Sequence, residues 1–380
     1  NPSRSSAAIA PVTSGAGVHR LTFQRADAAT VRTTWRPRRL RTGASTALDR
    51  LIASRMVWAT MFLPSPSTST TLLRLTDCND GRMTSASAKL RHVVGAGPIG
   101  RWTRTVRRKA TIVRLTGRLH PDHIPLAASG HTIYVDPGDR RGAEIVNGLG
   151  RGHQPALIAL WRDAIAAAHP ALVIDVGANY GEFLLNARYP PEASAVGAEA
   201  NPRIVPLLRR SVEAHPDAER ITLHPVLAAD SDGGEERLRV DPGWSGTAGA
   251  SLDRSADGRS LVEVTVPVRT LDGLVASPWP STPGGLVLKI DVEGSEWQVL
   301  GGATDLLHRA PWVVALVEFD PSHLRRSGTD PEDLFAVLSD LGRCWSVAWD
   351  GTRTAVTAAP TAPSDLLVVS DPALEGLLGL

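Results

Sequence analysis

Cysteine is nearly missing: Cys78 and Cys344 are the only two in 380 residues, 266 positions apart. Without a Cys-x-x-Cys pair the chain offers neither a disulfide framework nor a zinc–thiolate centre. Long apolar runs are missing as well. The best candidate, residues 51–64, is interrupted by Arg55 and falls short of the roughly 20 apolar residues that span a bilayer. No basic start followed by an apolar segment and a cleavage site stands at the N-terminus, so the expected address is the cytoplasm, with no membrane partner. The chain opens on Asn1, and its only methionines are Met56, Met61 and Met83. One of these is the expected translation start.

Acids are scarce at one end. Residues 1–120 hold 21 Lys and Arg against 4 Asp and Glu, whereas residues 121–380 hold 20 against 35, so a formal charge of +2 hides a net +17 and a net −15. Residues 1–82 mix Arg, Ser, Thr, Ala and Pro with no sustained period of 2 or about 3.6, which predicts no core. The patch Arg36-Pro37-Arg38-Arg39-Leu40-Arg41 reads as low-information sequence ahead of a nucleic-acid contact. This first segment is expected to be disordered or to lie outside the native coding sequence. Residues 83–150 read as a basic helix or linker, with Arg104, Arg107 and Arg108 on one face, then short strands over 125–135 and 143–149 around the turn Asp136-Pro137-Gly138-Asp139.

What the chain does have begins at Val173-Ile174-Asp175-Val176-Gly177-Ala178-Asn179-Tyr180-Gly181-Glu182. A continuously apolar strand breaks into a turn whose glycines let backbone N–H groups approach a ligand, and a helix is expected from Glu182. The spacing is not the dinucleotide fingerprint G-x-G-x-x-G, which weakens a nicotinamide reading. Glu199 follows 24 residues after Asp175, at the end of a second short strand. An acid there accepts hydrogen bonds from both hydroxyls of a ribose lying across the strand ends.

A second strand-to-helix motif, Leu286-Val287-Leu288-Lys289-Ile290-Asp291-Val292-Glu293-Gly294-Ser295-Glu296, places three acids within six residues. Such acids are costly unless ligands, hydrogen bonds or solvent satisfy them. Glu296 fits a helix cap, whereas Asp291 and Glu293 point to a cofactor crevice. The helix that follows is expected to carry Trp297, Leu300 and Ala303 inward.

On these motifs the chain resembles the FkbM-type S-adenosylmethionine-dependent methyltransferases of the class I superfamily. The resemblance runs over roughly 152–369, through Asp175–Gly181, Glu199-Ala200-Asn201-Pro202, Ala228–Gly233, Val268–Asp272, Lys289–Glu296, Leu316–Phe319 and Asp365–Val369. One departure is local: the family commonly shows proline directly after the acid where Ala200 stands. The resemblance implies an α/β, Rossmann-like fold, a mostly parallel seven-stranded sheet with helices on both faces. That methyltransferase domain is expected over 151–372, behind the β lead-in and the basic N-terminal region. It implies S-adenosyl-L-methionine as cofactor, held by Asp175, Gly177, Asn179, Tyr180, Gly181, Glu199 and Asn201, with Asp230 near the adenine.

Methyl transfer to a hydroxyl calls for a general base and for carboxylates that keep the cofactor's positive charge stable. Asp291, Glu318 and His323 are the catalytic candidates; Trp244, Glu293 and Asp320 are the substrate-binding ones. Residues 243–258 read as a mobile glycine- and serine-rich loop that closes over a small-molecule or glycan acceptor. Asp291 and Glu293 lie two residues apart and point the same way if the segment stays extended. No third metal ligand is evident from spacing, which predicts metal-independent activity, with Glu293 securing the strand-to-helix turn. Two readings compete with an O-methyltransferase: a catalytically silent binding or scaffold domain, and a nucleotide-dependent oxidoreductase.

Overall fold

The computed structural model describes residues 98–249, 261–275 and 284–380. Residues 1–97, which include the tract 1–82, Cys78 and the three methionines, lie outside the described residues, as do residues 250–258 of the expected loop.

Helix α1 (Pro98–Thr116) leads to a hairpin of β1 (His123–Pro125) and β2 (Thr132–Tyr134), then to α2 (Arg140–Asn147) and α3 (Pro155–Ala168). Next come β3 (Leu172–Val176), β4 (Ser194–Ala198), α4 (Val205–Glu213) and β5 (Ile221–His224). A side group holds β6 (Leu227–Ala228), β7 (Glu235–Asp241), β8 (Trp244–Gly249) and β9 (Val262–Arg269). The chain continues through α5 (Leu271–Leu274), β10 (Leu286–Ile290), α6 (Glu296–Gly301), α7 (Thr304–Arg309) and β11 (Val313–Phe319). It then runs through α8 (Pro321–Arg326), α9 (Pro331–Leu341), β12 (Arg343–Val347), β13 (Arg353–Val356), β14 (Ser364–Val369) and α10 (Pro372–Leu377).

The main sheet has the order β13-β12-β14-β11-β10-β3-β4-β5. Strands β11, β10, β3, β4 and β5 run parallel, and β14 is antiparallel to β11. Seven strands were expected and eight are present among the described residues. The extra one, β13, returns from β12 through a tight turn at Gly351, whose φ of +85° suits glycine. Its residues are largely exposed and give no apolar alternation to read. A second sheet, β6-β9-β7-β8, stands apart in the hydrogen-bond pattern.

Strand periodicity divides the core in two. Leu172, Ile174 and Val176 of β3 and Leu286, Leu288 and Ile290 of β10 join one cluster with residues of α6 to α9. Val173 and Val287 face the other cluster, with α3, α4 and α10. Ile124, Ile133 and Ile145 of the lead-in belong to that same cluster, so the lead-in shares the core of the sheet. Asp175 and Lys289 fall on this second face by the same alternation, and they are register partners across β3 and β10.

Four local expectations are corrected. Residues 179–186 form successive turns rather than a helix from Glu182; Gly181 at φ +88° and the prolines at 190–191 leave too little chain for a regular one. Residues 143–149 are mostly helical, because Asp139 caps α2 by accepting from the Gly142 N–H. Trp244 to Gly249 is strand β8, not loop. Trp297 faces outward, 38 % exposed, while Leu300 and Ala303 are buried. Among the described residues no helix is long and apolar enough to cross a membrane.

Candidate active site

The chain leaves β3 toward β4 on one side and later returns to β10 on the other. Such a switch point opens a crevice at the carboxyl ends of the strands. Here it is a cavity of about 1060 Å³.

One wall is the turn after β3. Gly177 has φ +73°, and a Cβ there would sit 1.9 Å from the Asp291 carbonyl oxygen, so only glycine lets the two strand ends meet. Asn179 takes the left-handed conformation at φ +49°, which asparagine tolerates. Its backbone N–H donates to Glu199 Oε2 at 2.7 Å, and its side-chain amide donates to the Ser245 carbonyl at 2.8 Å. The other Glu199 oxygen accepts from the Asn201 N–H, also at 2.7 Å. Burial pushes the Glu199 pKa up, against the two N–H bonds that favour the charged form. Each oxygen keeps a second lone pair for a ligand hydroxyl.

The facing wall is acidic. Lys289, 4 % exposed, lies 3.4 Å from Asp175 Oδ1 and 3.2 Å from Asp291 Oδ2. Burial opposes its charge, but Asp291 and Asp175 outweigh burial and hold its pKa above the usual lysine value. Beyond it, Glu293, Glu318 and His323 converge. Glu293 Oε2 is 3.1 Å from His323 Nδ1, and His323 Nε2 is 3.7 Å from Asp320 Oδ2. Burial, then the Asp291 charge, raises the pKa of both Glu293 and Glu318. The same causes push Asp365 up to about 6. Burial lowers the pKa of His323, favouring the neutral ring.

Of the sequence candidates, Gly177, Asn179, Glu199, Trp244, Asp291, Glu293, Glu318 and His323 line the cavity. Asp175, Tyr180, Gly181, Asn201, Asp230 and Asp320 do not. Asp175 is fully buried behind the turn against Lys289. The Tyr180 hydroxyl donates to Asp139 at 3.0 Å, and Gly181 packs on Leu208. Asn201 acts through its backbone on Glu199. Asp230 is exposed beside Gly301, and Val226, Leu227 and Ala228 take the wall where it was expected. Asp320 caps α8, accepting from the Ser322 and His323 N–H groups.

The spacing argument about Asp291 and Glu293 fails at its premise. Glu293 has φ +57° and Gly294 φ +108°, so the segment is a turn and not extended. The turn is tied by Glu296, whose Oε1 accepts from the N–H groups of Val292 and Gly294 at 3.2 and 3.1 Å. A third ligand-type group comes from β11 or α8, which spacing along β10 cannot show. Sequence reasoning also missed Glu182, Arg141, Gln154, Trp349 and Asp365 on the wall. Gln154 donates to Asp365 at 3.0 Å. The Asp365–Val369 block carried the family resemblance and was the available signal for Asp365.

Residues 175–343 match the profile described as the Methyltransferase FkbM domain. Over those residues the chain is similar to FkbM methyltransferase domains. No curated protein matches. Among solved structures, the chain is similar to the O-methyltransferase TomG from Streptomyces achromogenes, solved in complex with SAM. That match has 14% identity and a TM-score of 0.32 and covers 57% of this chain and 80% of TomG. An O-methyltransferase from Bacillus cereus in complex with SAH matches at 12% identity and a TM-score of 0.31, covering 56% and 81% of the two chains. A putative O-methyltransferase from Klebsiella pneumoniae matches at 10% identity and a TM-score of 0.31, covering 57% and 79%.

Proposed function

We propose that this protein is an S-adenosylmethionine-dependent O-methyltransferase acting on a hydroxyl of a small molecule, natural product or glycan in the cytoplasm. The observation that carries the reading is Glu199, fixed by two backbone N–H groups on the cavity wall beside the Gly177 turn. That arrangement suits the two hydroxyls of a ribose, with the apolar Val226, Leu227 and Ala228 beyond it for a flat base. When bound, the cofactor supplies an electrophilic methyl on a positively charged sulfur. The acidic wall of Asp291, Glu293 and Glu318 favours that charge, and it faces the acceptor as well.

Asp291 is the proposed proton acceptor. It opens onto the cavity, and its Lys289 partner fixes its position by the ion pair at 3.2 Å. Glu318, His323 and Glu293 hold the acceptor oxygen side, Trp244 supplies an apolar face, and Asp320 orients the His323 ring. Methyl transfer is an in-line displacement, so this alignment, more than covalent participation of the protein, sets the rate.

Calorimetry of the full chain with S-adenosylmethionine and its demethylated product is the direct test. Binding of both is expected, with the methylated acceptor detected by mass shift in a hydroxyl-compound screen. A folded chain that binds neither molecule would sink the proposal.

A further inference from the structure

The cavity runs past the acidic wall toward the edge of the sheet. Strand order there is β10, β11, β14, β12, and Asp291, Glu318, Asp365 and Trp349 follow one another along it, all lining the cavity. Asp365 is the register partner of Glu318 on one side and of Val347 on the other. Three strand spacings of about 4.8 Å carry this row roughly 14 Å beyond Asp291, which is longer than a single sugar ring. Glu199 lies on the opposite side of β10, beyond β3, so a cofactor seated there extends away from Trp349. The remote end of the row is left for the acceptor.

Trp349 is the most exposed large apolar side chain among the described residues, at 69 %. It sits in the turn between β12 and β13, and that turn is well tied. The Ala348 N–H donates to the Thr352 carbonyl and the Gly351 N–H to the Ala348 carbonyl, both at 2.8 Å, while Asp350 accepts from the Thr352 N–H at 2.9 Å. The His153 ring meets the indole at 82° with centroids 5.1 Å apart, an edge-to-face pairing. The His153 backbone is held in turn, its N–H donating to Glu182 Oε1 at 3.1 Å. An apolar surface is thus fixed in place while facing water. Polar groups border it. Gln154 donates to Asp365 Oδ2 at 3.0 Å, which leaves the other Asp365 oxygen and the Gln154 carbonyl for a ligand. Glu318 Oε2 is buried with no hydrogen-bond partner among the described residues, a cost of roughly 1–3 kcal/mol until a donor arrives.

We propose that Trp349 and His153 form a shelf that stacks on a neutral pyranose ring, with Gln154 and Asp365 reading its hydroxyls and Glu318 accepting from the next unit inward. A pyranose has a face of C–H groups and a rim of hydroxyls, so it matches an indole bordered by an amide and carboxylates. A flat aromatic acceptor has no rim of donors to satisfy those acids. An anionic sugar is disfavoured by Asp365, Glu318 and Asp291 in succession along the row. The distance from the shelf to Asp291 means that the ring on Trp349 is not the one methylated. The acceptor is therefore a glycoside or an oligosaccharide of two or more units. Its role as acceptor rests on the function proposed above; the shelf itself does not.

The test is saturation-transfer difference NMR on the full chain with cellobiose, lactose, maltose and mannobiose, and with p-nitrophenol as the flat aromatic probe. Transfer to the C–H protons of at least one disaccharide is expected. Trp349→Ala should weaken that binding about 10-fold or more, and Trp349→Phe should keep most of it. S-adenosylmethionine affinity, measured by calorimetry, should change less than about twofold in both variants. Circular dichroism checks the fold, and His153→Ala replaces any variant that fails it. A folded wild type that binds none of the four disaccharides would overturn the shelf, as would sugar affinity unchanged in every folded variant. Binding of p-nitrophenol at Trp349 without any disaccharide would overturn it too, since the shelf would then serve a flat ring. So would mutual displacement of sugar and S-adenosylmethionine, because the indole would then belong to the cofactor's seat. Cofactor binding without sugar binding defeats the shelf and leaves the methyltransferase reading intact; sugar binding without cofactor binding does the reverse.

Discussion

At the end of β4, Glu199 sets each carboxylate oxygen against a backbone N–H at 2.7 Å, whereas at the end of β11 Glu318 Oε2 is buried against nothing. Both acids sit on the same cavity, on opposite sides of β3. The first has its desolvation offset by the fold itself, so it is in place before a ligand arrives. The second carries an electrostatic cost that the protein leaves to a bound molecule. In the function proposed above, the first side would seat the cofactor and the second would face the acceptor.

The sharpest way to break this contrast is Glu199→Ala. It removes the proposed ribose acceptor and also takes from the Asn179 and Asn201 N–H groups their Glu199 partner, so the turn loosens. S-adenosylmethionine affinity should fall at least ~100-fold, equivalent to about 3 kcal/mol. Calorimetry measures it, with circular dichroism as the fold control. A loss below about threefold would mean that Glu199 only braces the turn.

Asp291→Ala probes the other side. Turnover should fall ~100-fold or more if the carboxylate takes the acceptor proton, with cofactor affinity within about threefold of wild type. Steady-state rates and cofactor calorimetry on the same preparation separate the two. Equal losses in both would place Asp291 on the cofactor side and erase the division of labour.

Trp244→Ala should have a smaller, selective effect. The indole lines the cavity and is covered by the Arg140 guanidinium at 4.3 Å, and the neighbouring Ser245 is locked to Asp139 and Asn179. An acceptor KM raised about 10-fold with cofactor affinity nearly unchanged is expected from a lost apolar face of this size. If cofactor affinity falls as far as acceptor affinity, β8 supports the turn rather than the substrate.

The two sides also differ in how much of them the sequence reveals. Gly177, Asn179 and Glu199 belong to one strand–turn–strand unit, so their order along the chain carries their meaning. Glu293, Glu318 and His323 meet only because β10 and β11 are parallel neighbours and α8 starts beside them. No local period encodes that meeting. The same limit explains the smaller misreadings. The short segments at 143–149 and 179–186 are decided by the Asp139 cap and by Gly181, not by apolar spacing. The periodic, buried strands β3, β10 and β11 were legible because burial on both faces writes continuous apolar runs.

Glu296 gives the mildest test, through pH. Burial raises its pKa from 4.5 to about 7, against the backbone N–H groups of Val292 and Gly294 that favour its charged form. Between those two values the folded chain holds a proton that the unfolded chain has released. Stability from this group is therefore fully present below 4.5 and declines as pH rises through about 7. Glu296→Gln keeps an oxygen for both N–H groups and removes the charge. In chelator, the variant should match wild type near the acid limit and exceed it on the alkaline side by about 1 kcal/mol, a Tm gain of a few degrees. Thermal melts across that range check the prediction. A wild-type Tm that rises through the window while the variant stays flat would show that Glu296 is better paired than its two backbone bonds allow, and that the acidic side of the cavity is satisfied from within like the side that holds Glu199.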